Sequence, residues 1–186
     1  AQLGFSTVQA NPALGQQLIQ KGFTASEWTH KQEIIASALS VWLSMPLLEG
    51  ENLSLAQLGA DDYQAEMEFL LGADAVNVQA LDQLVTRHTF AGLPRPSLLP
   101  RFVNGLLKGF MDLVFVYQQQ YYVVDYKFNS LGNDDASYTQ EALEQAMLSK
   151  RYDLQYSLYL LALHRLLKVR LGEQYDYDTH IGGGLY

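Results

Sequence analysis

No cysteine occurs in the sequence, which excludes a disulfide framework and any thiolate metal centre and fits a reducing cytoplasm. No apolar run approaches the length of a bilayer span, and the N-terminus lacks a basic stretch followed by an apolar one. A membrane-spanning domain is therefore not expected. Positive charge is scarce: 12 Lys and Arg stand against 20 Asp and Glu, a formal net charge of −8. Tight autonomous binding to nucleic acid usually needs the opposite balance, because neutralising phosphates drives affinity. The acidity leaves room for a metal-dependent enzyme, which must gather carboxylates, and for a domain that receives DNA held by its neighbours. A Walker-type phosphate loop is missing too, as are internal repeats and low-complexity tracts. What is present is a globular balance of 48% hydrophobic and 17% charged residues in 186, enough for one compact α/β domain with a real core.

Residues 1–60 read as mainly helical, and residues 66–186 as the informative core of a single domain. Asn11-Pro12 marks a helix start, with Leu14, Leu18 and Ile19 at helical spacing. Thr24 and Glu27 form a capping-box pattern ahead of Trp28, Ile34, Ile35, Leu39 and Trp42, and Pro46 ends that helix. Ser54 to Leu58 is a short helical turn, Glu66 to Leu71 a brief strand, and Asn77 to His88 a short helix. The segment from Ala91 to Arg101 carries Gly92, Pro94, Pro96 and Pro100, the composition of a loop. Leu107–Tyr117 and Tyr121–Phe128 are rich in β-branched and aromatic residues and flank Gln118, Gln119 and Gln120, the pattern of a β-hairpin. A polar loop from Asn129 to Ser137 precedes helices over Tyr138–Lys150 and Asp153–Arg170. Tyr175–Tyr177 and Ile181–Tyr186 read as a last strand with a glycine-rich bend.

The hairpin carries the chemistry. Asp125 and Lys127 are two apart in a strand, so both side chains leave one face. With the turn centred between Gln118 and Gln119, Asp112 lies directly across from Asp125, where facing Cβ atoms are about 4.5–5.5 Å apart. Two carboxylates so close repel unless a cation or proton sits between them. A hard divalent cation such as Mg²⁺ suits them, and a neighbouring lysine can stabilise developing charge. Asp-x-Lys is also a common solvated pair, and a register shift of one residue puts Asp112 on the opposite face. The apolar setting weighs against the bland reading: Tyr121 to Val124 and Met111, Leu113 surround these charges, and unpaired charge there is costly. Gln155 and Tyr159, four apart, share a helical face and can contact a phosphate or base. They can equally be a surface amide and a core ring.

Taken in order, GFMDLVF at Gly109–Phe115, VVDYKFN at Val123–Asn129, YTQEAL at Tyr138–Leu143, RYDLQYSLYLLALHR at Arg151–Arg165 and the closing HIGGGLY resemble the RecB family of nucleases. That family lies within the PD-(D/E)xK superfamily. The resemblance is dense from about Glu66 onward and loose before it. It implies a restriction-endonuclease-like α/β fold, a mixed β-sheet flanked by helices, with a helical N-terminal part. It also implies Mg²⁺-dependent hydrolysis of DNA phosphodiester bonds in double-strand-break processing and recombinational repair. Asp112, Asp125 and the main-chain carbonyl of Tyr126 then correspond to metal ligands and Lys127 to the catalytic lysine. Gln155 and Tyr159 correspond to a Gln-x-x-x-Tyr motif that contacts DNA and supports the site. Glu66, in EMEF, corresponds to an acidic position on the first strand ahead of Glu68, although a solvent-facing glutamate on an edge strand is nearly as good a reading.

The family's metal-binding histidine in an N-terminal helix has no counterpart among His30, His88, His164 and His180. The expectation is a fragment that begins just after that residue and is weakly active alone. The implied partners are DNA, the RecC and RecD subunits and the recombinase RecA, with ATP-driven unwinding belonging to other parts of the protein. An interaction module that docks RecA or partner subunits is the alternative reading.

Overall fold

The computed structural model describes residues 4–22 and 31–186. The capping pattern at Thr24–Glu27, Trp28 and His30 lie outside the described residues. The chain divides into two compact units, the first running to Tyr63 and the second from Gln64 to Tyr186.

The first unit is helical. Helices α1 (Phe5–Ala10), α2 (Pro12–Gly22) and α3 (Gln32–Ser44) are followed by a 3-10 turn at Leu55–Gln57. Pro12 occupies the first helical position of α2, where its missing N–H is no loss. Ser54 and Gln57 cap the 3-10 turn reciprocally, the Ser54 N–H donating to Gln57 Oε1 at 2.8 Å. Ile19, Leu43, Leu53, Leu55 and Leu58 are buried.

The second unit holds β1 (Tyr63–Asn77), α4 (Val78–His88), β2 (Phe102–Tyr117), β3 (Gln120–Val124), α5 (Gln140–Ser149), α6 (Tyr152–Leu171), the one-turn α7 (Tyr177–His180) and β4 (Ile181–Leu185). The four strands form one sheet in the order β1-β2-β3-β4. β2 and β3 are antiparallel and β3 and β4 parallel, so the sheet is mixed. With helices flanking it and a helical N-terminal part, the architecture is consistent with a restriction-endonuclease-like fold. No helix among the described residues is long and apolar enough to cross a membrane.

Helix α6 anchors the core. Tyr159, Ala162, Leu163 and Leu167 recur at helical spacing and pack with Leu71, Met111, Val114 and Val123 from the strands. Asn77 starts α4 as predicted, its side chain accepting the Ala80 N–H at 3.1 Å.

Three expectations need correction. The β2–β3 turn is only Gln118-Gln119, both at positive φ (49° and 68°), so Gln120 already belongs to β3. Mirror-image two-residue turns usually announce themselves with Asn or Gly, which this sequence lacks there. β3 also stops at Val124 instead of Phe128, and residues 125–132 are irregular. Finally, Tyr175–Tyr177 is not a strand: α7 begins at Tyr177, capped by Asp176, which accepts the Thr179 N–H at 2.8 Å.

The glycine run lies inside β4, where the register against β3 shifts between Ile181 and Gly183, an irregularity at the expected place. A Cβ on Gly182 would sit 2.2 Å from the ring of Tyr122, and one on Gly184 would sit 2.6 Å from the ring of Tyr156. Tyr122 cannot yield easily, because it stacks on Phe115 with centroids 5.0 Å apart. Gly182→Ala is therefore expected to lower stability by about 1–3 kcal/mol, read as an earlier urea midpoint for the second unit. An unchanged midpoint would show that the Tyr122 ring is free to move.

Candidate active site

Paired residues in the hairpin have numbers summing to a constant, from Tyr117↔Gln120 to Leu113↔Val124. One further step in that register sets Asp112 opposite Asp125. The strand pairing of β3 has ended there, but Asp125 is still held by its N–H, which donates to the Leu185 carbonyl of β4 at 3.0 Å. Asp125 is thus pinned between β2 and β4 at the point where the chain leaves the sheet. It is 4% exposed, a rare condition for a carboxylate unless it is paired.

The partner is Lys127, whose ammonium forms an ion pair with Asp125 Oδ2. Lys127 also donates to Gln155 Oε1 at 2.9 Å. Gln155 closes the circuit: its Nε2 donates to Asp125 Oδ1 at 3.3 Å and to the Tyr159 hydroxyl at 2.6 Å. The four-residue spacing on α6 therefore places one amide over both charged groups and one phenol beneath it. Asp112 Oδ2 accepts the Tyr126 N–H at 2.8 Å, which fastens the chain just after Asp125 to β2.

Burial lowers the Lys127 pKa, and the charge of Asp112 opposes that shift. Burial raises Tyr159, the Gln155 hydrogen bond works against it, and Asp112 adds to the rise. Asp112 thus acts on the same lysine and phenol that Gln155 links to Asp125. The Asp125 carboxylate, the amine, the amide and the phenol form one bonded group at the end of β3, and Asp112, within β2, acts electrostatically on the lysine and the phenol.

Glu66 is not brought into this group. Along β1 burial alternates, with Met67 and Phe69 packed against the core and Glu66 and Glu68 exposed. Phe69 meets Tyr159 edge-on at 5.6 Å, while Glu68 pairs with Lys108 at 3.0 Å. The period of two that aims Phe69 at the site aims the glutamates away from it. Among the described residues, no group of three or more His, Cys, Asp or Glu side chains converges as a metal cage.

Two features escape a motif-based reading. The first is Tyr152, whose ring lies 4.2 Å from the Lys127 ammonium and whose hydroxyl donates to Asn129 Oδ1 at 3.3 Å. The second is a buried charge network under the start of α6. Arg95, from the proline loop, donates to Asp153 Oδ2 at 2.6 Å and to the carbonyls of Thr89 and Phe90 at 2.7 and 2.8 Å. Arg151 bonds Asp153 at 3.1 Å, Asp82 at 2.5 Å and the Pro96 carbonyl at 2.7 Å. Asp82 in turn accepts the Leu98 N–H at 3.0 Å. Two arginines and two aspartates cancel in charge and tie the loop between α4 and β2 to the helix that carries Gln155. Their sequence signal is faint: charges in the first turn of an otherwise apolar helix.

No family model matches the chain. Curated relatives do. The RecBCD enzyme subunit RecB of Escherichia coli (strain K12) is 40% identical over 181 residues, 97% of this chain and 15% of the relative. The RecBCD enzyme subunit RecB of Haemophilus influenzae is 38% identical over 159 residues, 83% of this chain and 13% of the relative. That of Mycobacterium tuberculosis (strain H37Rv) is 36% identical over 155 residues, 72% of this chain and 14% of the relative. The chain spans about one-seventh of the length of the relatives it matches.

Proposed function

Because the chain belongs to the RecB family, matching a segment of that subunit over nearly its whole length, we propose that it is the family's metal-dependent nuclease domain. It hydrolyses phosphodiester bonds of DNA in double-strand-break processing and recombinational repair. The observation that carries this reading is the pairing of buried Asp125 with Lys127 at the Gln155 amide, with Asp112 one register step beyond the last hairpin pair. The nuclease core is the second unit, Gln64–Tyr186. Its acidity suits a domain supplied with DNA by neighbours, here the RecC and RecD subunits of a RecBCD-type complex. ATP-driven unwinding is assigned to the rest of the subunit.

The donor set fits Mg²⁺. Asp112, Asp125 and the Tyr126 carbonyl offer hard oxygens only and too few to fill a shell, and Mg²⁺ binds in just this way, keeping waters and taking substrate phosphate. When bound, the ion supplies Lewis acidity at the phosphate and a water of lowered pKa. The chain's own residues do the rest. Asp125, buried and clamped by the β4 ladder, fixes one ligand position, and Asp112, tied to the Tyr126 N–H, fixes the second. Lys127, held by Asp125, Gln155 and the Tyr152 ring, presents its ammonium where negative charge grows on the phosphate oxygens. Gln155, itself held by the Tyr159 hydroxyl, positions that amine and the Asp125 carboxylate. DNA contact by the two is secondary in this arrangement, since their polar atoms are already engaged.

Lys127→Met in the full-length protein is expected to slow DNA cleavage about 10²–10³-fold, as for loss of a single charge-stabilising donor. The Mg²⁺ concentration giving half the maximal rate should change little. Cleavage at the wild-type rate would remove the lysine from the mechanism.

A docking role for RecA or a partner subunit has its own support. Leu99, Leu106 and Phe102 are 80%, 72% and 67% exposed at and just after the proline loop, apolar surface that a partner could cover. Such a role would survive loss of both aspartates.

A further inference from the structure

Beyond Lys127 a cleft of about 590 Å³ opens beside α5, the irregular segment before it and the start of α6. That volume lies within the roughly 300–1,000 Å³ of sites that take a small organic group. Four tyrosines, Tyr138, Tyr152, Tyr156 and Tyr186, line it, together with the amides of Asn129 and Gln140. Lys127 belongs to both spaces. Its ammonium meets Asp125 and Gln155 on one side, and lies 4.2 Å from the Tyr152 ring and 5.5 Å from the Tyr186 ring on the other.

We propose that this cleft is a nucleobase subsite, which holds the base of the nucleotide next to the phosphate being cut and stacks it against tyrosine. The inference rests on the nuclease reading for its orientation and deepens it by adding a contact to the substrate's bases. The chemistry of the walls selects a base over a second phosphate. The acidic side chain of Asp153 in the lining is already neutralised by Arg95 and Arg151. Glu144, which accepts the Gln140 amide at 2.9 Å, adds negative charge. Lys127, the one Lys or Arg in the lining, serves the phosphate being cut, so a second phosphate finds no further such cation. It would meet a carboxylate. A flat, uncharged ring meets π faces and amide edges instead. Tyr138 and Tyr186 are 42% and 37% exposed, so aromatic surface is accessible to a ligand. Stacking on tyrosine tolerates every base, so the subsite fixes register and demands an unstacked strand without selecting sequence. A duplex end must fray before its base can enter.

The test uses the full-length protein and short single-stranded oligonucleotides carrying 2-aminopurine at successive positions, with chelator present to prevent cutting. Wild type should quench the fluorescence strongly at one position. Ala146→Phe, which fills the cleft from α5, and Tyr138→Ala, which removes an exposed wall, should each abolish most of that quenching. Each should also weaken binding about 5- to 100-fold, the range set by stacking of one base. Tyr138 is exposed, so its variant keeps the test valid if Ala146→Phe fails to fold. Asp125→Ala should retain quenching while losing cleavage. With Mg²⁺ added, an abasic residue at the quenched position should slow wild type about tenfold and leave the slower Ala146→Phe variant unaffected. Absence of position-dependent quenching, or quenching that persists in both cleft variants, overturns the subsite and leaves the hydrolytic reading to stand on cleavage alone. A wild type that quenches as described but never cuts DNA contradicts the hydrolytic reading and keeps a base-binding cleft.

Discussion

Asp125→Ala in the full-length protein is expected to abolish Mg²⁺-supported DNA cleavage, a loss of at least about 10³-fold. Lewis-acid stabilisation at a phosphate is worth several kcal/mol, and each 1.4 kcal/mol is a factor of ten in rate. The substitution should leave the fold in place. The contact that ties this position into the sheet is made by the main chain, the Asp125 N–H to the Leu185 carbonyl, and alanine keeps it. The orphaned Lys127 side chain is 21% exposed and still has Gln155 and the Tyr152 ring as partners, so it is not stranded in an apolar interior. Asp125→Asn should behave alike in cleavage, since the amide keeps the shape and removes the charge. Gel assays with defined oligonucleotides, beside thermal melts by circular dichroism, separate the two effects. Cleavage that survives in both variants with normal melts would place the chemistry elsewhere in the protein.

Asp153→Ala should act in the opposite sense, through stability and only secondarily on activity. The Asp153 side chain is fully buried and Arg95 is 3% exposed. Removing the carboxylate strands a buried guanidinium, a change that typically costs about 3–5 kcal/mol. Urea unfolding of the second unit should register it as a large fall in midpoint. Acid should reproduce part of the loss in the wild type. Burial alone would raise the Asp153 pKa, but the hydrogen bonds from Arg151 and Arg95 outweigh it and hold the group below the usual carboxylate range. A pKa depressed on folding contributes stability above the unfolded value, about 3.9, and that contribution is lost as pH falls through the lower folded value. Asp153→Asn should therefore unfold at lower urea at neutral pH, and its midpoint should respond less to pH below about 4. Parallel pH curves for wild type and variant would show that the network contributes nothing through this group.

How far the sequence foretold the molecule can be traced residue by residue. The turn centre between Gln118 and Gln119 could be inferred from two apolar runs of known length, and with it the register as far as Leu113↔Val124, because strand pairing propagates a register without further information. The helix expected from Asn77 to His88 forms over Val78–His88, with Asn77 as its N-cap, because such capping is local. Gln155 and Tyr159 could be paired because helical spacing is rigid. Other features depend on contacts between distant segments. Nothing near Arg95 indicates that a residue in a proline loop will bond a helix 58 positions later. The run Gly182–Gly184 announces an irregular strand, borne out by a register shift, but gives no sign of the Tyr122 and Tyr156 rings against it, where side chains would collide. Glu66 illustrates the reverse: the motif placed it at the site, and the alternation of β1 turned it to solvent. The cleft beside Lys127 is of the same kind, since its tyrosines come from three separate segments.

The most direct measurement is Mn²⁺ binding to the full-length protein without nucleotide, followed by electron paramagnetic resonance in wild type, Asp112→Asn, Asp125→Asn and the double variant. Shared coordination predicts that either single substitution removes the same bound ion and that the double variant loses no more than each single one. Full Mn²⁺ occupancy in either single variant would contradict a common ion held between the two strands.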